Sequence, residues 1–432
     1  MTADVFTADF KETPYWWEVS PLRPPEDQAV PETAEVAVIG GGYTGLHAAL
    51  QIARGGRQVV IFDAELPGWG CSTRNGGQIS TSIKPDLATL TKRHGLETGR
   101  AILREGQASL AFVGNFVAAE KIDCDFKVVG RFHAAHSPEA FTKMTAAAEN
   151  QPEGLEVPLR IVPRDEQRDE LGTDAYYGGL VFEKHASIDP GRYYAGLRDR
   201  VEAAGAQLIA PCKVTGLARQ SGGFLLETAK GQLRAEQVVL ATNGYSGNLS
   251  PWHQRRVIPI GSYVIATEPL EPGLIDQLMP KNRIVSDARK VVYYYRASPD
   301  RSRILFGGRV SAGETDPRKS APRLHHDLVQ LFPELAKVKV SHSWMGFVAY
   351  TFDTLAHSGE EEGLFYAMGY CGAGVGLSSY LGMRCGQRVL GLPDGQTAFS
   401  AAPFQTRPLY QGKPWFLGAS VAYYRWRDRL GR

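Results

Sequence analysis

A short glycine-rich segment near residue 40 constrains the fold more than any other part of the chain. Gly40, Gly42 and Gly45 fit the pattern G-x-G-x-x-G. A predicted buried strand over 36–39 precedes them, and a predicted helix from Thr44 to about residue 54 follows. The first glycine permits a tight turn, the second lets a pyrophosphate approach the backbone, and the third packs the helix on the strand. The segment therefore predicts a β-α-β unit that binds a dinucleotide.

The residues around this turn strengthen the prediction. Tyr43 and Thr44 open the helix, where free N–H groups and the helix dipole favour a phosphate. Asp63 ends the next predicted strand, about twenty positions further on, where an acidic side chain suits a pair of ribose hydroxyls. Strand, turn, helix and carboxylate are thus in register.

Two further turns favour FAD over NAD. Residues 237–244 form a predicted strand that runs into a small-residue turn at Thr242 and Asn243, and such a turn can close over a bound dinucleotide. Residues 369–376 lead into a predicted helix whose positive end could stabilise charge on a flavin. The alternative for this second segment is a cluster of glycines that packs helices. Further candidates for binding FAD are Val214, which precedes the first segment, and Gly372, Gly374, Val375, Gly376 and Leu377 in and after the second.

Composition limits the class of protein. A chain of 432 residues exceeds the usual size of one core, so two domains are expected. The net charge of +2 is small and Lys and Arg are spread evenly, so the sequence indicates no basic surface that would bind nucleic acid or a membrane. Five scattered cysteines suit a reducing cytoplasm and argue against a disulfide framework or a metal site. No apolar run is long enough for a membrane span.

The dinucleotide signals are separated by strand-rich blocks, so the predicted fold is α/β with a discontinuous Rossmann-like FAD-binding domain and a mixed, strand-rich α+β substrate domain. The predicted division is an irregular N-terminal arm (1–34), the FAD-binding domain (35–85, 181–250 and 345–400), the substrate domain (86–180 and 251–344) and a C-terminal helical tail (401–432). The tail carries several arginines and is either a solvated helix face or a contact for a partner or an oligomer.

Several segments together resemble the D-amino-acid-oxidase-type family of FAD-dependent oxidoreductases, and within it the gamma-glutamylputrescine oxidase group. The resemblance rests on residues 39–46, 68–78, 305–309 and 344–353 and covers most of the chain. It implies that the loop after Cys71 helps to bind FAD, through Arg74, Asn75, Gly76, Gly77 and Gln78.

The resemblance also implies hydride transfer from a carbon bearing nitrogen to flavin N5, with dioxygen reduced to hydrogen peroxide. Some relatives tether FAD through a cysteine in the segment that corresponds to residues 344–351, and this chain has none there, so noncovalent FAD is expected. Ala373 stands where the family commonly has histidine, which weakens the inference on substrate.

Candidates for contact with the substrate are Tyr263, Tyr294 and Arg309. Each tyrosine is either a ligand contact or a core aromatic, and Arg309 is either a carboxylate-binding fork or part of a structural ion pair. Lys290 stands near the position where some relatives have a lysine that assists oxygen activation. The alternation over 291–296 places Tyr294 on one face of a strand, without indicating which face meets the substrate.

Three functions are compatible with the sequence. The first is an FAD-dependent oxidase of a small polar amine or N-substituted amino acid, with a gamma-glutamylated amine as one candidate. The second is a dehydrogenase that passes electrons to a quinone or a partner protein. The third is an FAD-binding subunit of a larger complex.

Overall fold

Two large sheets and the helices around them make up residues 5–309, 316–361 and 363–431, which the computed structural model describes. The strands are β1 (Phe6–Lys11), β2 (Thr33–Ile39), β3 (Val59–Phe62), β4 (Gln78–Ile79), β5 (Arg131–Ala134), β6 (Leu159–Val162), β7 (Gly179–Phe182), β8 (Ala186–Ser187), β9 (Gln207–Ile209), β10 (Val214–Gln220), β11 (Gly223–Thr228), β12 (Gly231–Leu240), β13 (Ile258–Thr267), β14 (Ile284–Asp287), β15 (Tyr294–Ala297), β16 (Ile304–Gly308), β17 (Val340–Tyr350), β18 (His357–Glu361) and β19 (Leu364–Met368). The α-helices are α1 (Trp16–Val19), α2 (Tyr43–Arg54), α3 (Leu87–His94), α4 (Leu96–Ala119), α5 (Pro138–Glu149), α6 (Pro190–Ala203), α7 (Pro251–Gln254), α8 (Pro272–Leu278), α9 (Pro317–Leu331), α10 (Gly374–Val389) and α11 (Leu417–Arg429).

The first sheet has eight strands and is built on parallel pairing. β9, β3, β2, β12 and β19 lie side by side, each parallel to its neighbour, and β18 follows antiparallel to β19. β10 and β11 extend the sheet as an antiparallel ribbon beside the first half of β12. Val36 and Val38 of β2 pack with residues of α2, α4, α6 and α10, whereas Ala37 and Ile39 pack into a second core on the opposite face. Burial on both faces explains why these parallel strands are continuously apolar.

The second sheet has nine strands in the order β1-β17-β13-β16-β15-β14-β5-β7-β6. Its outer face packs against α8 and α9 in a large apolar core that includes Tyr295 and Phe306. Its inner face turns towards the first sheet and carries Val264, Leu305 and Trp344 in a smaller cluster. The predicted combination of an α/β dinucleotide-binding fold with a strand-rich second unit is confirmed.

Helix α6 begins with a side-chain cap. Asp189 accepts hydrogen bonds from the backbone N–H groups of Gly191 and Arg192 at 2.9 and 3.0 Å, and Pro190 is the first residue of α6. An N-cap carboxylate followed by proline satisfies the free donors of the first turn.

The N-terminal arm is more regular than predicted. β1 pairs in parallel with β17 at the edge of the second sheet, and α1 follows it. The prediction of an irregular arm is therefore wrong for these residues. The strand was not predicted because the segment is rich in proline and aromatic residues. Its partner strand also lies more than three hundred residues away along the chain.

Two predicted domain limits also need correction. α4 lies in the predicted substrate domain, but its buried residues belong to the same core as α2 and α10. β17 runs without interruption across the predicted limit between residues 344 and 345. Helix packing and strand pairing thus override limits that were drawn from composition, and the remaining division stays a prediction.

The C-terminal helix docks on the second unit. Asp428 accepts the backbone N–H groups of Lys290 and Val291 at 2.8 and 3.0 Å, and Arg425 donates to the carbonyl of Arg309 at 2.6 Å. Arg432 lies outside the described residues. A role of the tail in an oligomer stays a prediction. Among the helices of the described ranges, none combines the length and apolar character needed to cross a bilayer.

Candidate active site

The carboxyl ends of the parallel strands bring four predicted segments to one edge of the first sheet. Ile39 pairs with Phe62 and Leu240, and Leu240 pairs with Tyr366, so these strands end at the same level. The glycine-rich turn, Asp63, the turn after β12 and the start of α10 follow directly from those ends. Ligands of open α/β sheets bind at this edge.

The glycine-rich turn leaves little room for side chains. Gly40 has φ +105°, and a Cβ there would lie 2.8 Å from the carbonyl oxygen of Ala241. A Cβ on Gly45 would overlap the carbonyl oxygen of Gly40. Gly42 is the N-cap of α2, and a Cβ on it would lie 3.0 Å from Oγ of Ser72. The turn therefore requires glycine for steric reasons that the pattern predicted.

Asp63 lies beside this turn. Its Oδ2 accepts the backbone N–H of Gly41 at 2.9 Å, and its Oδ1 accepts that of Glu65 at 3.1 Å. Burial raises the pKa of Asp63 to about 6, although the backbone N–H donors act in the opposite direction. The carboxylate is held at the end of β3, where ribose hydroxyls could donate hydrogen bonds to it.

The start of α10 offers open space. Gly372 has φ +100°, and a Cβ on Gly372 or Gly374 would meet no described heavy atom within 4 Å beyond its chain neighbours. Val375 and Leu377 are buried, and Gly376 packs on Ser109 of α4, where a Cβ would lie 3.1 Å from Oγ. The segment thus contains both of the expected features: two glycines next to empty space and one that packs helices.

Hydrogen bonds tie the neighbouring turns to this edge. Oδ1 of Asn243 accepts the backbone N–H of Gly369 at 2.9 Å, and Thr44 Oγ1 lies 2.6 Å from the hydroxyl of Tyr370. The hydroxyl of Thr242 bonds to Ser246. Val214 is buried at the start of β10. Tyr370 was missed in the sequence, although it stands within the glycine-rich segment 369–376.

The loop from Cys71 to Gln78, here called the 71–78 loop, connects the two sheets. Ser72 accepts the backbone N–H of Tyr43 at 3.0 Å, at the start of α2. Asn75 folds the loop on itself, because its Nδ2 donates to the carbonyls of Cys71 and Ser72 and its Oδ1 accepts the N–H of Gly77. Gln78 donates to two carbonyls of the second sheet at 3.1 and 3.2 Å.

Arg74 and Gly77 of this loop are also fixed by distant residues. Arg74 donates to the carbonyls of Trp69 and Met345 at 2.6 and 3.1 Å. Buried Arg296 donates from Nη1 to the carbonyl of Gly77 at 3.0 Å. Burial lowers the pKa of Arg296 to about 10. Arg296 therefore holds backbone of the loop and belongs to the scaffold.

Tyr294 is the candidate that the structure places between the two sheets. Its hydroxyl lies 2.9 Å from Oγ of Ser262, and a Cβ on Gly76 would lie 3.0 Å from its ring. A Cβ on Gly307 would overlap the same ring. Burial raises the pKa of Tyr294 to about 12. Ser262 was missed because only the pairing of the strands in the second sheet brings it to Tyr294.

Arg309 follows the last residue of β16. It is buried and donates from Nη1 to the carbonyl of Gly261 at 2.7 Å, next to Ser262. Its own carbonyl accepts a hydrogen bond from Arg425. The guanidinium is thus held close to the strand segment that carries the partner of Tyr294.

The structure places two further candidates, Tyr263 and Lys290, away from Tyr294. Tyr263 is fully buried in the outer core with Tyr295 and Phe306, on the face of the sheet opposite to Tyr294. Side chains alternate along a strand, so Tyr263 and its neighbour Ser262 point to opposite faces. Lys290 is exposed, and its backbone N–H is bound by Asp428 of the C-terminal helix. The placement of Tyr263 could not be predicted because sequence alone does not fix which face of a sheet is covered, and a role of Lys290 in oxygen activation stays a prediction.

The comparisons with known proteins agree with this geometry. Residues 35–388 match the family model described as DAO, FAD dependent oxidoreductase. Gamma-glutamylputrescine oxidoreductase of Escherichia coli K12 is 32% identical over 413 residues, which cover 92% of this chain and 94% of that protein.

Solved structures show the same fold. The crystal structure of glycine oxidase from Geobacillus kaustophilus aligns with a TM-score of 0.73 at 22% identity, covering 88% of this chain and 99% of that one. L-proline dehydrogenase from P. horikoshii aligns with a TM-score of 0.70 at 18% identity, covering 90% and 99% of the two chains. The resemblance predicted from the sequence is confirmed.

Proposed function

Because this chain belongs to the DAO family of FAD-dependent oxidoreductases, we propose that it oxidises the C–N bond of a small polar amine or N-substituted amino acid. The enzyme uses FAD and acts on amine-type donors. The finer proposal is an oxidase that passes the electrons to dioxygen. A gamma-glutamylated amine is the first candidate substrate, because a gamma-glutamylputrescine oxidoreductase is 32% identical over 92% of this chain.

One observation carries the proposal. The ring of Tyr294, whose hydroxyl is bonded to Ser262 of another strand of the second sheet, lies beside Gly76 of the 71–78 loop at the junction with the first sheet. A cofactor on the carboxyl edge of the first sheet would have its reactive end near this junction. The second sheet would then supply the walls that bind and orient the amine.

The chemistry of the residues at this edge suits FAD. The N-terminus of α2 and Ser72 would hold the pyrophosphate, and Asp63 would hold the ribose hydroxyls. Open space beside Gly372 and Gly374 would admit the flavin ring at the positive end of α10. The turn at Thr242 and the backbone near Val214 would line the same edge.

Bound FAD supplies the acceptor for a hydride from the carbon next to nitrogen. The protein orients that carbon towards the acceptor. With a pKa of about 12, Tyr294 stays protonated at neutral pH and can donate a hydrogen bond, so it orients the substrate and does not act as a base. Water then hydrolyses the imine product, so that amine, dioxygen and water give a carbonyl compound, a smaller amine or ammonia, and hydrogen peroxide.

Arg309 would bind a carboxylate at the far end of the substrate. Its guanidinium is buried and held by Gly261, and a buried fork of this kind favours a planar anion. A gamma-glutamyl group carries such a carboxylate at a distance from the nitrogen that is oxidised. The two features together favour a gamma-glutamylated amine over an unsubstituted diamine.

The test is a substrate panel on the purified holoenzyme. Gamma-glutamylated, acetylated and free diamines, together with glycine, sarcosine and proline, are assayed for oxygen uptake and peroxide. Equal amounts of oxygen consumed and peroxide formed support the oxidase. Turnover only with an added quinone under argon would support a dehydrogenase. No turnover with either acceptor would support an FAD-binding subunit of a larger complex.

The FAD is proposed to be noncovalent, because β17, which contains most of the segment where some relatives have the linking cysteine, contains none. Cys71 and Cys371 lie nearby, and burial raises the pKa of each thiol to about 11, which disfavours a reactive thiolate. Acid precipitation should release all yellow colour into the supernatant. Colour that remains with the chain would contradict this, and the Cys71→Ser and Cys371→Ser variants would then locate the link.

A further inference from the structure

Three tryptophan side chains converge on one short stretch of the 71–78 loop. The indole N–H of Trp16 donates to the carbonyl of Asn75 at 2.9 Å, and that of Trp344 donates to the carbonyl of Arg74 at 2.9 Å. The indole N–H of Trp17 donates to the hydroxyl of Thr73 at 2.8 Å. Consecutive polar groups of the loop are thus each bound by an indole from outside it.

The same contacts immobilise the side chain of Arg74. Its guanidinium carbon lies 4.9 Å from the ring centre of Trp17 and 4.6 Å from that of Trp69. Both indoles lie within the range of cation–π attraction. Trp17 therefore contacts both the hydroxyl of Thr73 and the guanidinium of Arg74, the one cation of the loop.

The N-terminal residues that make these contacts are anchored on the second sheet. Residues 6–19, here called the N-terminal strap, pair through β1 with β17. Tyr15 and Trp16 are buried in a cluster with Val264, Leu305 and Trp344 on the inner face of that sheet. The strap is thus fixed to the second sheet, while its indole N–H groups reach the 71–78 loop beside the first sheet.

We infer that the N-terminal strap positions the 71–78 loop for FAD, with Trp17 as a positioning residue. Between the 3-10 turn at Cys71–Thr73 and Gln78 at the start of β4 the loop has no regular secondary structure, so its shape there depends on side-chain contacts. When indoles satisfy its carbonyl and hydroxyl groups, Ser72 stays next to the first turn of α2. This inference rests on the proposed role of the loop in binding FAD.

A double-mutant cycle on the affinity for FAD tests the inference. Trp17→Phe keeps an aromatic ring over Arg74 and removes only the N–H donor, and Thr73→Val removes its acceptor. The full-length protein is deflavinated and titrated with FAD. Loss of one neutral hydrogen bond should raise the Kd of Trp17→Phe about two- to tenfold. Relative to the parent, the Kd of the double variant should rise by less than the product of the two single-variant factors.

Two further variants distinguish a failure of the loop's proposed role in binding FAD from a failure of the strap inference. Trp415→Phe removes an exposed indole of the C-terminal segment and should leave the Kd for FAD unchanged. Asn75→Ala opens the loop itself and should weaken FAD by more than Trp17→Phe does. If Asn75→Ala binds FAD as the parent does, both the role of the loop and the strap inference are overturned.

Other outcomes address the strap alone. If Asn75→Ala weakens FAD while Trp17→Phe does not, the loop binds FAD but the strap does not position it. If the effects of Trp17→Phe and Thr73→Val simply multiply, the indole acts through general stability, and the inference is overturned. A positive result is a coupled effect on Kd, with the KM for the amine unchanged at saturating FAD.

Discussion

At the carboxyl edge of the first sheet, the groups that would face FAD are mostly backbone atoms, whereas the inner face of the second sheet presents side chains from distant strands. Gly40 and Gly45 matter because a Cβ would collide with a carbonyl oxygen. Tyr294 and Ser262 matter because two strands place their hydroxyl groups 2.9 Å apart. The first region depends on local chain geometry, and the second depends on long-range strand pairing.

This difference predicts how each region responds to substitution. A backbone site tolerates changes of side-chain chemistry but not of volume at its glycines. A side-chain site keeps its shape after a conservative change and loses only the interaction that was removed. The predictions below test this contrast, from the largest expected effect to the smallest.

The largest effect is expected for Gly42→Val. A Cβ on Gly42 would lie 3.0 Å from Oγ of Ser72, and the larger side chain of valine would fill the space of the pyrophosphate. Overpacking by this amount should weaken FAD about ten- to hundredfold. Gly273→Val is the matched control, because a Cβ there would meet no described heavy atom within 4 Å. Flavin absorbance per protein is measured after purification, and a fully yellow Gly42→Val protein would contradict the role of this turn.

The same contrast explains what could be predicted from the sequence. The turn at Gly40 to Gly45 and the carboxylate of Asp63 follow from local spacing, and the structure brings them to one edge. Tyr263 was misplaced because alternation defines two faces of a strand without saying which one α9 covers. β1 was missed because its partner β17 lies at the other end of the sequence. Contacts made by pairing across hundreds of residues leave no local pattern.

The second effect is expected for Arg309→Met. If the guanidinium binds a carboxylate, the variant should lose about ten- to hundredfold in kcat/KM on a substrate that carries one. The analogue in which an amide replaces the carboxylate should change by no more than about threefold. The measurement compares both substrates in both proteins. Equal losses on the two substrates, together with a lower Tm, would show that Arg309 is a scaffold residue held by Gly261 and Arg425.

A smaller effect is expected for Tyr294→Phe, with Tyr263→Phe as its matched control on the opposite face of the same sheet. Tyr294 meets Ser262 and Gly76 at the junction, so loss of its hydroxyl should lower kcat/KM about three- to tenfold. Tyr263 is buried in the outer core, so its variant should lose about 1 kcal/mol of stability with unchanged kinetics. The reverse pattern would mean that the outer face is the one that meets the substrate.

The smallest effect concerns the pH dependence of FAD binding, through Asp63. Burial raises the pKa of this carboxyl to about 6, and hydrogen bonds from ribose hydroxyls would stabilise its ionised form. The pKa in the complex should therefore lie below that of the free protein. The affinity for FAD is then highest above about pH 6 and decreases as the pH falls. The Kd should be about three- to tenfold higher at about pH 5 than at about pH 7.5.

Asp63→Asn separates this effect from a general acid sensitivity of the protein. The carboxyl titrates near 3.8 in the unfolded chain and near 6 in the native chain, so ionisation destabilises the apoprotein as the pH rises through that range. Removal of the charge should weaken FAD and flatten the pH dependence of Kd, because the loss of one acceptor for the N–H of Gly41 or Glu65 is the same at every pH. A variant whose Kd still rises between about pH 7.5 and about pH 5 would assign the titration to another group, and the ribose contact of Asp63 would lose its support.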